Sequence, residues 1–174
     1  MNRNQRLTKL MRWVVLTLCA IGFTMSCAAR NSIARPLILN DNTEQYPLGL
    51  KLELLEDPQA QWKLSQVLVA PLKDQFVPST QKIPNFAFTD SAYWARITLD
   101  SRSKQTKTWL LEVGYALLDK VNVSLITLGR VEQTWETGDL LPFSYRPIKH
   151  TNFVFPITLR PNQRVTLLIR VQTK

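Results

Sequence analysis

Apolar and polar residues alternate along most of the chain after residue 90, which is the pattern of β-strands with one buried face. The clearest run is residues 119–126, where Val121, Val123 and Leu125 alternate with polar neighbours. Earlier in the chain, the leucines of residues 48–54 alternate with Lys51 and Glu53, and a short strand is expected at residues 37–39. The other predicted strands are residues 91–99, 108–115, 130–137, 152–159 and 164–172.

Turn-forming residues separate these runs, and they predict an antiparallel two-sheet sandwich of about eight strands. Pro156 inside a predicted strand indicates an edge position or a bulge. The only helix expected after the first 29 residues lies near residues 65–70, with Ser65 as its N-cap and Pro71 as the residue that ends it. The turn signals are Asp100-Ser101, Leu128-Gly129-Arg130, Thr137-Gly138-Asp139 and Arg160-Pro161-Asn162.

The strand at residues 91–99 raises a specific question about Trp94 and Arg96. Tyr93, Ala95 and Ile97 share its core-facing side, so Trp94 and Arg96 are expected on the opposite, non-core face. This pair could form a ligand-binding surface, in which a ring stacks on a ligand and a guanidinium binds polar groups. It could equally be a structural clamp, with Trp94 under a loop and Arg96 paired with a carboxylate such as Asp90 or Asp139.

The first 29 residues have the features of a secretory signal peptide. Four basic residues and no acidic ones precede a short apolar run, residues 13–25, and small residues follow it. The run is shorter than the roughly 20 residues of a membrane span. Cys27 could alternatively be a lipidated first residue. We therefore expect export to the periplasm, a lead-in at residues 30–43 and one domain at residues 44–174.

The charge bears on the kind of partner, and the cysteine content bears on disulfide bonds. The chain carries 22 basic and 13 acidic residues, but five of the basic ones lie within residues 1–30, so the remainder has a net charge of only +4. These charges are interspersed rather than clustered, which disfavours nucleic acid as a partner. Both cysteines, Cys19 and Cys27, lie in the leader region, so no disulfide is expected in the domain.

The residues needed for common enzyme chemistry are missing from the pattern. His150 is the one histidine, and it comes without the strained glycine-flanked serine turn of many hydrolases. No cluster of ligands suits zinc and no glycine-rich loop suits a phosphate, so neither a metal nor a cofactor is expected. Carboxylates such as Glu112 and Glu136 are present, but nothing in the sequence places two of them across a cleft. We expect no enzyme activity, and a secreted hydrolase is the weakest alternative.

Four stretches occur together in an order and spacing that resemble one bacterial family. They are "YPLGLKLELLEDP", "NFAFTDSAYWARITL", "WLLEVGYALLDKVNVSL" and "TGDLLPFSYRPIKHTNFVFPITLRPNQRVTLLIRVQT". Together they are similar to the extracellular type 2 domain of 7TMR-DISM receptors, the seven-transmembrane receptors with diverse intracellular signalling modules. The resemblance covers about residues 44–173.

The resemblance implies a jelly-roll sandwich like a carbohydrate-binding module, acting as the periplasmic input domain of a histidine kinase or diguanylate cyclase receptor. Its implied ligand is a small molecule such as a carbohydrate. The residues that match the family's motifs are Asp90, Tyr93, Trp94, Arg96, Gly138, Asp139, Pro142, Phe143 and Arg146. Among them, the predicted ligand contacts are Trp94, Arg96, Asp139 and Arg146.

The membrane helices and output domain of such a receptor are not in these 174 residues. Attachment to the membrane would therefore depend on a missing C-terminal region or on a lipid at Cys27. The leading hypothesis is a non-catalytic ligand-sensing domain of a receptor. The alternative is a stand-alone envelope module that binds another protein through a sheet edge or face.

Overall fold

Nine β-strands dominate the part of the chain that the computed structural model describes, residues 35–173. One short α-helix, α1 (Leu64–Val67), and three 3-10 turns (Gly49–Lys51, Leu72–Gln75 and Phe143–Tyr145) connect them. The strands are β1 (Leu37–Leu39), β2 (Glu53–Asp57), β3 (Val77–Pro78), β4 (Ala92–Ser101), β5 (Lys107–Val113), β6 (Lys120–Thr127), β7 (Arg130–Thr137), β8 (Phe153–Leu159) and β9 (Arg164–Gln172).

The strands form a large and a small sheet. The large sheet has the order β3-β2-β4-β9-β6-β7, and β1 joins it by pairing with the second half of β4. The small sheet consists of β5 and β8. Every pairing is antiparallel except that of β1 with β4. The prediction of an all-β antiparallel sandwich with one short helix is therefore confirmed.

The main core lies between the two sheets, and it consists of the alternating residues that the sequence pattern marks as inward. From the small sheet, Phe153 and Phe155 are fully buried, and Trp109 packs at the edge of the cluster. Trp135 of β7 packs against Phe155, with ring centroids 6.1 Å apart. The large sheet contributes Ile97, Leu99, Val121, Val123, Leu125, Val165, Leu167 and Ile169.

The segment before β2 departs from its predicted strand. Residues 49–51 form a 3-10 turn in which the Lys51 amide donates to the Leu48 carbonyl at 2.7 Å. Gly49 lies so close to the Lys82 backbone that a Cβ there would come within 1.9 Å of its carbonyl oxygen. The strand therefore begins only at Glu53, whose side chain is buried rather than exposed as the alternation predicts.

A second core covers the other face of the large sheet, and it overturns the expectation of an exposed face. α1 and the turn at Leu72–Gln75 pack there, burying Trp94 to 4% exposure. The helix begins after Lys63, so the predicted N-cap Ser65 lies inside it, and it ends at Val67 before Pro71. The other buried residues of this second core are Leu55, Val67, Phe76, Ile126 and Leu168.

Two further residues, Pro156 and Val131, lie in strands at the edges of the two sheets. β8 pairs only with β5 among the described residues, which confirms the edge position of Pro156. In β7, the register shifts opposite Leu125 and Ile126, so Val131 pairs with Ile126. Because Ile126 belongs to the second core, Val131 is turned away from the main core and is 44% exposed, although strict alternation along residues 130–137 would put it on the same face as Trp135.

No helix within residues 35–173 has the length and apolar content needed to cross a membrane. The predicted signal peptide and the lipidation site at Cys27 lie outside the described residues, as do residues 30–34 of the lead-in.

Candidate functional site

Arg96 connects three parts of the chain. Its Nε donates to Glu53 Oε2 at 2.8 Å, across the pairing of β4 with β2. Its Nη1 donates to the Lys73 carbonyl at 2.9 Å, and its guanidinium lies 4.1 Å from the centre of the Phe76 ring. This is the geometry of a structural clamp, but the carboxylate is Glu53 rather than Asp90 or Asp139.

Trp94 lies beneath the same cover and is enclosed by protein. Its β2 and β9 partners are Leu55 and Arg170, and the Arg170 guanidinium is 5.8 Å from the ring centre. Arg170 also donates to the Ala60 carbonyl at 3.1 Å, which fixes the loop before α1. Ligand contact by Trp94 and Arg96 stays a prediction, and what their geometry displays is packing and pairing within the chain.

Asp139 and Arg146 lie elsewhere, at what we call the loop end. The loop end is the end of the sandwich where β4 begins and β9 finishes, together with the loops at residues 86–91, 114–119 and 138–152. The pairing register places Tyr93, Val171, Val121 and Thr137 in one row across β4, β9, β6 and β7 at this end. Three strand spacings, about 14 Å, separate the first from the last.

Asp139 is exposed and follows a tightly packed glycine. Gly138 has φ +153°, and a Cβ there would lie 2.0 Å from the Asp119 carbonyl oxygen. The Asp139 amide donates to the Leu118 carbonyl at 2.7 Å, which joins the two loops. Within the described residues, the exposed Asp139 carboxylate takes part in no hydrogen bond or ion pair, and its contact with a ligand stays a prediction.

Arg146 organises the loop that carries it. Its Nη1 donates to the carbonyls of His150 and Thr151, and its guanidinium lies 4.4 Å from the Phe153 ring centre. Lys149 assists from the same loop by donating to the Ser144 carbonyl at 3.0 Å. Much of the hydrogen-bonding capacity of Arg146 is thus used within the chain.

The four predicted ligand contacts therefore do not form one site. Trp94 and Arg96 face the second core from the middle of the large sheet, whereas Asp139 and Arg146 lie at the loop end beyond β7. Side chains of neighbouring strand positions point to opposite faces, so Trp94 and Tyr93 serve different surfaces of the sheet.

A cluster of polar and aromatic groups surrounds Tyr93, and the sequence pattern alone does not select it as a site. The Phe86 ring stacks on Tyr93 with centroids 3.7 Å apart and an interplanar angle of 7°. Ser91 Oγ donates to Glu56 Oε1 at 2.7 Å, and its amide donates to Thr89 Oγ1 at 3.1 Å. We call these five residues the Tyr93 cluster. Glu56 reaches it only because β2 pairs with β4, a contact between positions far apart in the sequence.

The electrostatics of the Tyr93 cluster keep its phenol protonated. Burial raises the pKa of Tyr93, and the neighbouring Glu56 carboxylate raises that pKa further. Hydrogen bonds with Thr89 and Ser91 lower it in part. The cluster therefore offers a phenol donor, a carboxylate acceptor and two hydroxyl groups beside an aromatic stack, which is a set of groups suited to binding a polyhydroxylated molecule.

Groups for metal binding are not assembled in the described part of the chain, since residues 35–173 contain no set of three histidine, cysteine or carboxylate side chains close enough to hold an ion. Two other acidic residues make hydrogen bonds that serve the fold. Glu112 accepts from Asn152 Nδ2 at 2.5 Å, and the Asp57 carboxylate accepts from the Trp62 amide at 2.9 Å.

Comparison with known proteins identifies the family. A search of curated protein sequences gave no match. The family model described as 7TMR-DISM extracellular 2 matches residues 49–174, which include β2 to β9, the Tyr93 cluster and the loop end. The resemblance seen in the sequence is thereby confirmed: the chain belongs to the 7TMR-DISM extracellular 2 family, a family of extracellular sensory domains of membrane receptors.

Proposed function

We propose that this extracellular domain is a non-catalytic ligand-sensing module that supplies the input of a receptor of the histidine kinase or diguanylate cyclase type. The ligand is a carbohydrate or a related small polar molecule. Membership of the family supports the sensory role and the extracytoplasmic location. The Tyr93 cluster is the observation that carries the ligand class.

The chemistry of the Tyr93 cluster fits a sugar. Sugars present apolar C–H faces that pack on aromatic rings and hydroxyl groups that bond to carboxylates and hydroxyls. The stacked rings of Phe86 and Tyr93 provide the aromatic surface, and the exposed Glu56 provides an acceptor. Ser91 holds the Glu56 carboxylate in place through its 2.7 Å hydrogen bond. An acceptor and an aromatic ring that are both held in place would bind a sugar in one orientation.

The four residues predicted to contact a ligand have different roles in this proposal. Asp139 is a second polar contact at the loop end, because its carboxylate is exposed. Arg146 holds the loop that positions it. Trp94 and Arg96 support β4 from the opposite face, so that Tyr93 at the start of the strand keeps its position.

Screening of the full chain against glycans and small carboxylates by thermal shift and calorimetry tests the proposal. We expect a sugar to bind, and we expect Tyr93→Ala and Glu56→Gln to remove binding while the fold persists. Tyr115→Ala is the matched control, because Tyr115 is an exposed tyrosine on a different loop, residues 114–119. Binding that survives Tyr93→Ala, or a screen without any ligand, contradicts the proposal.

The alternative of a protein-interaction module has one structural feature in its favour. The outer edge of β7 pairs with no strand among the described residues, and such an edge can accept a strand from a partner. The register irregularity within β7 disrupts that edge, as bulges commonly do where edge pairing is avoided. Recovery of one specific partner from membranes, lost on introducing proline at an outward amide of β7, would support this alternative instead.

A further inference from the structure

We propose that two loops of the loop end, residues 114–119 and 138–152, dock on the surface of a lipid bilayer through a group of exposed apolar side chains. We call this group the loop patch. It consists of Tyr115, Leu117, Leu140, Phe143 and Tyr145. The inference does not depend on the ligand of the Tyr93 cluster, and either proposal can fail without the other.

The side chains of the loop patch are large and apolar or aromatic, and each is more than half exposed. Tyr115 and Phe143 are each 54% exposed, Tyr145 is 58%, Leu117 is 61% and Leu140 is 69% exposed. Scattered single apolar residues on a surface need no explanation, but a contiguous group of large ones marks an interaction site. All five belong to two loops, residues 114–119 and 138–152.

One direct hydrogen bond joins the two loops, and a second joins one of them to the end of β9. The Asp139 amide donates to the Leu118 carbonyl at 2.7 Å, next to Leu117 and Leu140. Thr173 Oγ1, at the end of β9, donates to the Leu117 carbonyl at 3.3 Å. The two loops that carry the loop patch are therefore joined to each other at one end of the sandwich.

The half of the loop patch that contains Phe143 is internally fixed. Lys149 Nζ lies 5.5 Å from the centre of the Phe143 ring and donates to the Ser144 carbonyl at 3.0 Å. The Arg146 guanidinium lies 5.1 Å from the same ring. Because this backbone is held in place, docking would cost little ordering of the loop.

The composition favours a bilayer over other occupants. Tyrosine, phenylalanine and leucine beside lysine and arginine are typical of segments that lie at the membrane–water interface. The charges around the loop patch are balanced, with Lys120, Arg146 and Lys149 against Glu112, Asp119 and Asp139. Docking is therefore driven by the apolar and aromatic side chains, and it does not require anionic lipid. The family consists of extracellular domains of seven-transmembrane receptors, so a bilayer is the surface that these domains have next to them.

A tryptophan introduced at each end of the sandwich tests the proposal on the full chain. Phe143→Trp puts an indole in the loop patch. Leu128→Trp puts one in the β6–β7 turn at the opposite end of the sandwich, where the Leu128 side chain is 96% exposed. With vesicles of zwitterionic phosphatidylcholine that contain brominated acyl chains, we expect quenching of the indole added by Phe143→Trp. The indole added by Leu128→Trp should not be quenched. Both variants carry the same first 34 residues, so any membrane affinity of that segment is common to both.

Removing apolar area from the loop patch is the second arm. Adding Leu117→Ser and Leu140→Ser to Phe143→Trp should abolish most of the quenching, with the circular dichroism spectrum unchanged. Quenching that is equal at the two ends, or absent at both, overturns the proposal. A loss of self-association in light scattering on introducing the two serines, without any quenching, would assign the loop patch to a second copy of the chain and likewise overturn it.

Discussion

Arg96 Nε and Glu53 Oε2 lie 2.8 Å apart across directly opposed positions of β4 and β2. The Glu53 side chain is 8% exposed and that of Arg96 is 21% exposed, so this is a largely buried ion pair. It decides what the arginine beside Trp94 does: the guanidinium binds a carboxylate of its own sheet and the carbonyl of Lys73.

Breaking this pair from one side should destabilise the domain. Arg96→Met leaves the Glu53 carboxylate buried without its partner, and we expect a loss of about 2–4 kcal/mol in the free energy of unfolding. The double variant Arg96→Met with Glu53→Leu should recover much of that loss, because it also removes the unpaired charge. Urea unfolding followed by circular dichroism measures both. Arg102→Met is the control, because Arg102 also makes an ion pair but its side chain is 53% exposed. An equal effect of the two single variants would contradict the structural role of Arg96.

Trp94 should contribute to stability through packing. Trp94→Ala would open a cavity in the second core, and we expect a loss of about 3–5 kcal/mol in unfolding free energy. Trp94→Phe should cost less, since it keeps an aromatic ring and removes an indole N–H that has no hydrogen-bond partner within residues 35–173.

The comparison that isolates burial is Trp135→Ala, since Trp135 is only partly buried at the edge of the main core. We expect it to cost less than Trp94→Ala in the same urea experiment. A ligand whose affinity drops on Trp94→Phe, with stability unchanged, would restore Trp94 as a contact residue.

Gly138 should not tolerate a side chain. Its φ of +153° is strained for other residues, and a Cβ would lie 2.0 Å from the Asp119 carbonyl oxygen. We expect Gly138→Ala to lower the unfolding free energy by at least about 2 kcal/mol. Gly114→Ala is the matched control on a neighbouring loop, because among the described residues only its immediate chain neighbours have atoms within 4 Å of the Cβ it would add. Thermal denaturation of both variants would show whether the approach of the two loops depends on this glycine.

Stability at alkaline pH should depend on Tyr93. Since burial and Glu56 raise the pKa of Tyr93 in the folded protein, the folded state holds the phenol proton more firmly than the unfolded chain does. This contribution is fully present below the ordinary tyrosine pKa of about 10, and it is lost as the pH rises through the raised value. Urea midpoints measured from neutral to strongly alkaline pH should fall less steeply for Tyr93→Phe than for the unaltered protein. Tyr115→Phe controls for the loss of a surface hydroxyl, and equal slopes for the two variants would contradict the assignment.

Much of the sandwich follows from local pattern. The alternation of Val121, Val123 and Leu125 predicts both the strand and its inward face, because a strand with one buried face must place apolar residues at every second position. The same rule fails for Val131, because an irregular register in β7 reverses its side, and that irregularity has no signature in the sequence. It also fails for Glu53, which the alternation places outward and the pairing with Arg96 holds inside.

The candidate site was harder to predict than the fold. The ordered motifs were enough to indicate the family, and they placed Tyr93, Asp139 and Arg146 among the residues of interest. Glu56 and Phe86 join Tyr93 only through the β2–β4 pairing and the return of the loop before β4. Contacts of this kind join residues far apart in the chain, and a single sequence carries no local signal for them.

The sequence by itself determined most of the strands, most of the inward residues of the main core and the family, since these depend on residue type and local spacing. Only the tertiary structure decided that the second face of the large sheet is covered, because a four-residue helix and a 3-10 turn fold back over it. That cover turns Trp94 and Arg96 from a supposedly exposed pair into a packed ring and a paired cation. The physical reason is that burial depends on what packs against a face, whereas alternation records only which residues share one.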